Sequence, residues 1–298
     1  MTTSQANGAP DEATRSSAIA VVLTYRRPQW ASQVVLDLLG SEGLDPSQVV
    51  LVVNGEGGLD DAELEKIISV LSLPQNVGPA GAFAHAMRYA RDLSTAPWIY
   101  LCEDDQTGYH GLPSPRLRGL IDEVERFERD VPGPPVGGVL ASGRNVDMRT
   151  GRTHRLTLSS SGARLHEADF GPWWGALLSR RVVDEGVYPD ESMFWWAEDL
   201  EYWLRVRAAG FRVLVDRVSH KAARHKSSSG EPWCGYYMAR NQFYLRRRHG
   251  NVRWTILHTA KTARRFQLAP SKAHRVAIVR GFVDGLRGRS GRNTKFSR

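Results

Sequence analysis

Cysteine is nearly missing from this 298-residue chain: Cys102 and Cys234 are the only two, and neither belongs to a Cys-x-x-Cys pair. A disulfide framework and a cysteine zinc site are thereby excluded, and both thiols suit a reduced cytosol. Long apolar runs are missing too. No stretch approaches the roughly 20 apolar residues that a membrane-spanning helix needs. Met1 to Ser17 are polar, without the apolar centre of a secretion signal, and read as a flexible lead-in. Acids are scarce at the C-terminal end. Residues 221–298 hold 19 of the 40 Lys and Arg but only Glu231 and Asp284 as acids, a net of +17, whereas the first 220 residues are net −9. The overall +8 therefore conceals an acidic body joined to a basic end. Such an end is drawn to an anionic bilayer, a lipid diphosphate or nucleic acid, unless it is simply a solvated helix face.

With 41% hydrophobic residues the chain can bury a sizeable core. Ala18 to Thr24 and Val49 to Val53 are continuous apolar runs, the signature of strands covered on both faces. Gln29 to Leu39 carries a helical stripe, Asp60 to Leu71 reads as another helix, and Ala82 to Arg91 as a third before the strand Trp98 to Leu101. This alternation predicts a mainly parallel α/β sheet with ligands at the carboxyl ends of its strands. Further on, helices are expected over Arg116 to Arg129, Glu198 to Ala209, Cys234 to Arg248, Val252 to Arg265 and Ser271 to Leu286. Strands are expected over Val136 to Ala141 and Phe211 to Val215. Residues 142–170 offer short turn-rich pieces, read as hairpins.

Two acidic clusters carry the chemistry. Glu103-Asp104-Asp105 ends an apolar strand and so delivers carboxylates to one sheet edge, where clustered oxygens suit a hard divalent cation able to hold phosphates. Glu198-Asp199-Leu-Glu201 follows Met193-Phe-Trp-Trp-Ala197. A carboxylate there, beside Trp195 and Trp196, has the surroundings of a general base whose pKa is raised. A solvated acidic turn and an acidic helix N-terminus are the plain alternatives.

Together the segments Val22-Leu-Thr-Tyr-Arg26, Val52-Val-Asn-Gly55, Asn76-Val-Gly-Pro-Ala-Gly-Ala82, Leu101-Cys-Glu-Asp-Asp105, Glu198-Asp-Leu-Glu-Tyr-Trp-Leu-Arg205 and Tyr236-Tyr-Met-Ala-Arg-Asn241 resemble the family 2 glycosyltransferases, especially a bacterial branch of galactofuranosyl- and rhamnosyltransferase-like enzymes. They occur in family order over roughly residues 18 to 245. The resemblance implies a GT-A type fold: one Rossmann-like, mainly parallel sheet flanked by helices over residues 18–248, with a basic helical extension over 249–298. It implies transfer of a sugar from a UDP- or dTDP-linked donor to a hydroxyl of a saccharide or glycolipid acceptor, with inversion. Thr24, Tyr25, Arg26, Asn54, Asn76, Gly78, Glu103, Asp104 and Arg240 would then bind the donor nucleotide, and Gly81 would ease close approach of the backbone. Asp105 would ligate Mn²⁺ or Mg²⁺ with His220, or alternatively His225. Asp199, with Glu198 as its alternate, would be the base, and Trp174 and Trp196 would face the acceptor. Val53 departs from the family, which often has an acid before this Asn, and this leaves the choice of base open.

The two cysteines suit a cytoplasmic enzyme, and the charge of the basic end would suffice for peripheral attachment to the inner face of the membrane, where glycolipid acceptors sit. Two other readings compete. A sugar nucleotidylyltransferase would want a glycine-rich loop after the first strand, and Thr24-Tyr-Arg-Arg-Pro28 has no glycine. A nucleic-acid-binding protein would use the basic end but leave both acidic clusters without a role, so no nucleic-acid partner is expected.

Overall fold

The computed structural model describes residues 17–105, 117–159, 162–222 and 230–296. The first half runs β1 (Ala18–Thr24), α1 (Pro28–Gly40), β2 (Val49–Asn54), α2 (Ala62–Ile67), β3 (Ser69–Leu73), α3 (Gly78–Leu93) and β4 (Trp98–Glu103). Then come α4 (Leu117–Asp130), β5 (Val136–Leu140), the hairpin β6 (Arg144–Asp147) and β7 (Arg152–Arg155), β8 (Leu165–Glu167), β9 (Ala176–Ser179) and α5 (Arg180–Asp184). They are followed by α6 (Glu198–Ala208), β10 (Arg212–Asp216) and α7 (Arg217–Ala222). Three longer helices close the chain: α8 (Pro232–His249), α9 (Val252–Gln267) and α10 (Lys272–Leu286).

Among the described residues, eight strands form one sheet in the order β3-β2-β1-β4-β9-β5-β10-β8, with β9 and β8 antiparallel to their neighbours. It is the expected mainly parallel α/β sheet. Alternate residues of β1 serve opposite faces. Ile19, Val21 and Leu23 meet Phe83 and Met87 of α3 and Trp203 of α6, while Ala18, Ala20 and Val22 meet the layer of α1 and α4. Burial on both faces is what made these strands continuous apolar runs.

One expectation is corrected. Asp60 to Leu71 is not one helix: α2 stops at Ile67, and Ser69 onward pairs with β2 as a half-buried edge strand. Leu64, Ile67, Ile68 and Leu71 have helical spacing, but strand pairing outweighs that period here.

The C-terminal helices form a layer of their own. α10 lies so close to α8 that a Cβ on Gly281 would sit 2.1 Å from the Tyr236 carbonyl oxygen. α9 is fastened by the Trp254 indole N–H to the Met148 carbonyl at 2.8 Å and by Gln242 to Thr262. Among the described residues, no helix is long and apolar enough to cross a membrane.

Candidate functional site

From β1 the chain steps outward to β2 and β3, then returns to β4 on the other side of β1. A crevice opens at such a reversal, beyond the carboxyl ends of the two strands. Asp104 sits there, buried, and accepts from the Thr24 hydroxyl (2.9 Å), the Tyr25 backbone N–H (3.2 Å) and the Arg27 guanidinium (2.9 Å). Asp104 thus holds the β1 turn, and burial nudges its pKa upward despite Arg27 and these donors. Arg27 also lies 3.4 Å from the half-exposed Asp105. Arg27 is a site residue that the motif reading missed; its one signal was a cation directly before the Pro28 that starts α1. Arg26, by contrast, turns outward to pair with Glu56 at 2.7 Å.

The carboxylates of β4 and of α6 converge from sequence positions almost a hundred residues apart. Glu103 is pushed up to about 8, first by burial, then by the charges of Asp105, Asp104 and Asp199. Asp199 is pushed up to about 6 by burial, although its Oδ1 accepts the Leu200 N–H at 2.7 Å. Burial and then Asp199 raise Glu198 well above the carboxylate range. The indole N–H of the buried Trp173 is directed at the Glu198 carboxyl and works against that rise. Glu201 behaves differently. Burial alone would raise it, but His249, Arg205 and Arg248 around it draw it down to about 2 and tie α6 to α8.

The loop Met193 to Ala197 presents Glu198 and Asp199, and its backbone is strained. Phe194, Trp196 and Ala197 all have positive φ, at 61°, 72° and 63°, a region costly for residues other than glycine. Asn241 restrains it by donating to the carbonyls of Met193, Trp195 and Trp196 at 2.7–3.0 Å. Gly78, itself at φ +76°, lets the Phe194 carbonyl pass where a Cβ would come within 2.1 Å of it. What approaches Gly78 is this loop.

Other expected residues are engaged elsewhere. Arg240 is almost wholly buried, lies 4.7 Å from the Tyr237 ring, and gives its N–H groups to Asn241, Gly291 and Met193. Every nitrogen of the guanidinium is used, so a diphosphate contact is corrected to a role in bracing the loop. His220 is also corrected. Its Nδ1 accepts from the Gly143 N–H at 3.1 Å, which leaves Nε2 to donate to the Leu156 carbonyl at 2.9 Å, and no lone pair remains for a metal. His225 lies outside the described residues. Asn54 and Asn76 bond each other at 3.2 Å and cap the start of α3 through the N–H groups of Val77 and Gly78. Gly81 packs against Val77. Trp174 and Trp196 are half-buried, and Trp196 lies 5.9 Å from Arg265.

Among the described residues, no group of three or more His, Cys, Asp or Glu is placed to hold a metal ion. A cation at this edge would draw on Asp105 and one neighbouring carboxylate, a set of hard oxygens that fits Mn²⁺ or Mg²⁺ when phosphate and water supply the remainder.

No protein-family model matches the sequence, and no curated protein matches it. Among solved structures, the chain is similar to GalNAc-T7 with UDP, GalNAc and Mn²⁺ (11% identity over 68% of this chain and 42% of that one, TM-score 0.49). It is similar to the mannosyltransferase PcManGT from Pyrobaculum calidifontis in complex with GDP-Man and Mn²⁺ (14%, 94% and 90%, TM-score 0.44). It is similar also to S. aureus TarS 1-349 in complex with UDP (11%, 92% and 92%, TM-score 0.45). The chain spans less than half of the first of these. At such identities and scores, the likeness places no residue of the site.

Proposed function

We propose that this chain is an inverting, metal-dependent glycosyltransferase of GT-A type. It would move a sugar from a UDP- or dTDP-linked donor to a hydroxyl of a saccharide or lipid-linked acceptor, and it would work in the cytoplasm. One observation carries the reading: Glu103 at the end of β4 and Asp199 at the start of α6 lie close enough that the charge of Asp199 helps to raise Glu103, and burial lifts Asp199 to about 6.

A carboxyl with that pKa is mostly ionised at neutral pH, yet is a stronger base than an exposed aspartate. Asp199 Oδ1 is occupied by the Leu200 N–H, so Oδ2 takes the proton from the acceptor hydroxyl as that oxygen attacks the anomeric carbon. The strained loop and its Asn241 clamp fix where that oxygen points. Asp104 holds the β1 turn against the donor, and Arg27 sets a positive charge beside Asp105. Asp105 with one neighbouring carboxylate would hold Mn²⁺ or Mg²⁺, which when bound neutralises charge on the departing diphosphate.

Calorimetry with UDP- and dTDP-sugars, with and without Mn²⁺ or Mg²⁺, tests the donor side; Asp105→Ala should lose the metal-dependent part of binding. Asp199→Asn should bind donor like the parent and transfer roughly 10²–10⁴-fold more slowly. Transfer by the Asn variant at the parent rate would overturn the reading.

A further inference from the structure

The basic charge of the C-terminal end is only half of what its helices present. On α9, Val252 and Ile256 are 74% and 62% exposed, while Trp254 and Thr262 on the opposite side are buried. On α10, Val276, Val279 and Leu286 are 53%, 49% and 56% exposed, while Ala277, Ile278 and Gly281 face α8. Both helices therefore carry apolar residues on two sides, one side in the core and the other in water. The outer stripes are bordered by exposed cations: Arg253 and Arg264 on α9, Lys272, Arg275 and Arg280 on α10. The one acid on α10, Asp284, is buried and paired with Arg280 and Arg289, which leaves Arg253, Arg264, Lys272 and Arg275 as the cations it does not neutralise. Lys272 and Lys295 also border a groove of about 530 Å³ lined by Trp233, Val276 and Phe296. Its Trp233 meets Trp195 of the strained loop edge to face at 4.6 Å.

We propose that the outer faces of α9 and α10 are a docking surface for an anionic lipid bilayer. Cations beside aliphatic side chains match an interface where phosphate headgroups lie next to hydrocarbon. Charge selects this occupant over the others. A second copy paired about a two-fold axis through this surface would bring its own basic face against this one and be repelled. Nucleic acid would pair with the arginines but leave Ile256 and Val279 wet. The surface goes beyond the catalytic reading and stands without it.

The test is flotation of the full chain with vesicles of phosphatidylcholine alone and with the same vesicles containing phosphatidylglycerol. The anionic vesicles should carry the protein and the neutral ones should not. Replacing Arg253 and Arg264 together by Gln should weaken partitioning roughly fivefold per residue. The double change Ile256→Ser with Val279→Ser should weaken it at least about tenfold while leaving the charge intact. All four side chains are exposed, so circular dichroism should match the parent. If a serine variant failed to fold, the comparison of lipids and the Gln pair would still decide. Absence of binding to anionic vesicles would overturn the proposal. So would unchanged binding by the serine pair, or tighter binding to duplex DNA that the serine changes leave untouched.

Discussion

Opposing influences meet on Asp199. A carboxylate in the first turn of a helix is stabilised by the macrodipole and by N–H donors, which lowers its pKa. Burial pulls the other way and wins, leaving the group at about 6, with the Arg144 charge restraining it. Only the ionised form accepts a proton, so the sign follows directly: transfer should rise as pH climbs through about 6 and level off above it. Arg144→Gln removes a charge that favours the carboxylate and should move that limb to higher pH. The profile of kcat/KM measured from pH 5 to 8 on both proteins is the check, and a limb that stays put or moves down contradicts the assignment. Gly78 shows what a single atom can do at this scale. Gly78→Ala sets a Cβ against the Phe194 carbonyl at φ +76°, with a backbone cost of about 1–2 kcal/mol before the clash is counted. A melting temperature at or above the parent's would show that the loop does not press on α3.

At the scale of elements, the base is positioned by something that carries no charge. Three carbonyls of a strained loop hang on one Asn241 amide. Asn241→Ala takes this donor from the Trp195 and Trp196 carbonyls, while that of Met193 keeps Arg240, at a cost of about 1–3 kcal/mol. The loop then relaxes, so kcat should fall more than the donor dissociation constant rises; a steady-state split with the donor affinity worsened instead would place Asn241 on the nucleotide. Little of this loop was legible in the sequence. Phe194, Trp196 and Ala197 adopt positive φ without a glycine to announce it, and β9 is too short to stand out from turn-rich surroundings. The strands β1, β2 and β4 were legible because burial on both faces writes itself as unbroken apolar runs. Arg240 was misread for the opposite reason. A sequence displays charge and hides burial, and the stacked tyrosines and carbonyls that consume this guanidinium come from segments as distant as Gly291. His220 misled in the same way, its two partners flanking the distant β6–β7 hairpin.

The whole molecule joins an acidic sheet body, where the site lies, to a basic helical layer, and the seam between them passes behind the strained loop. The Gly291 N–H donates to the Ser192 carbonyl at 2.6 Å, and the Gly291 carbonyl accepts from Arg240. Asn293 bonds the hydroxyls of Tyr236 and Tyr237, and Phe296 stacks on Tyr236 at 4.7 Å. The residues after α10 are thus a brace between α8 and the turn that leads into Met193. Ending the chain after Gly288 removes the brace but leaves α9 and α10 whole. With roughly 1 kcal/mol for each of the four lost hydrogen bonds and about as much for the ring pair, the loss is on the order of 5 kcal/mol. That corresponds to a fall in melting temperature of roughly 10 °C. If the brace serves the base, the shortened chain should bind a nucleotide sugar as the parent does, melt lower and turn over more slowly. If the tail merely rests on the surface, turnover and melting should both match the parent. Those three readouts on one deletion separate bracing of the loop from a direct hold on the donor, because only the latter would weaken nucleotide binding.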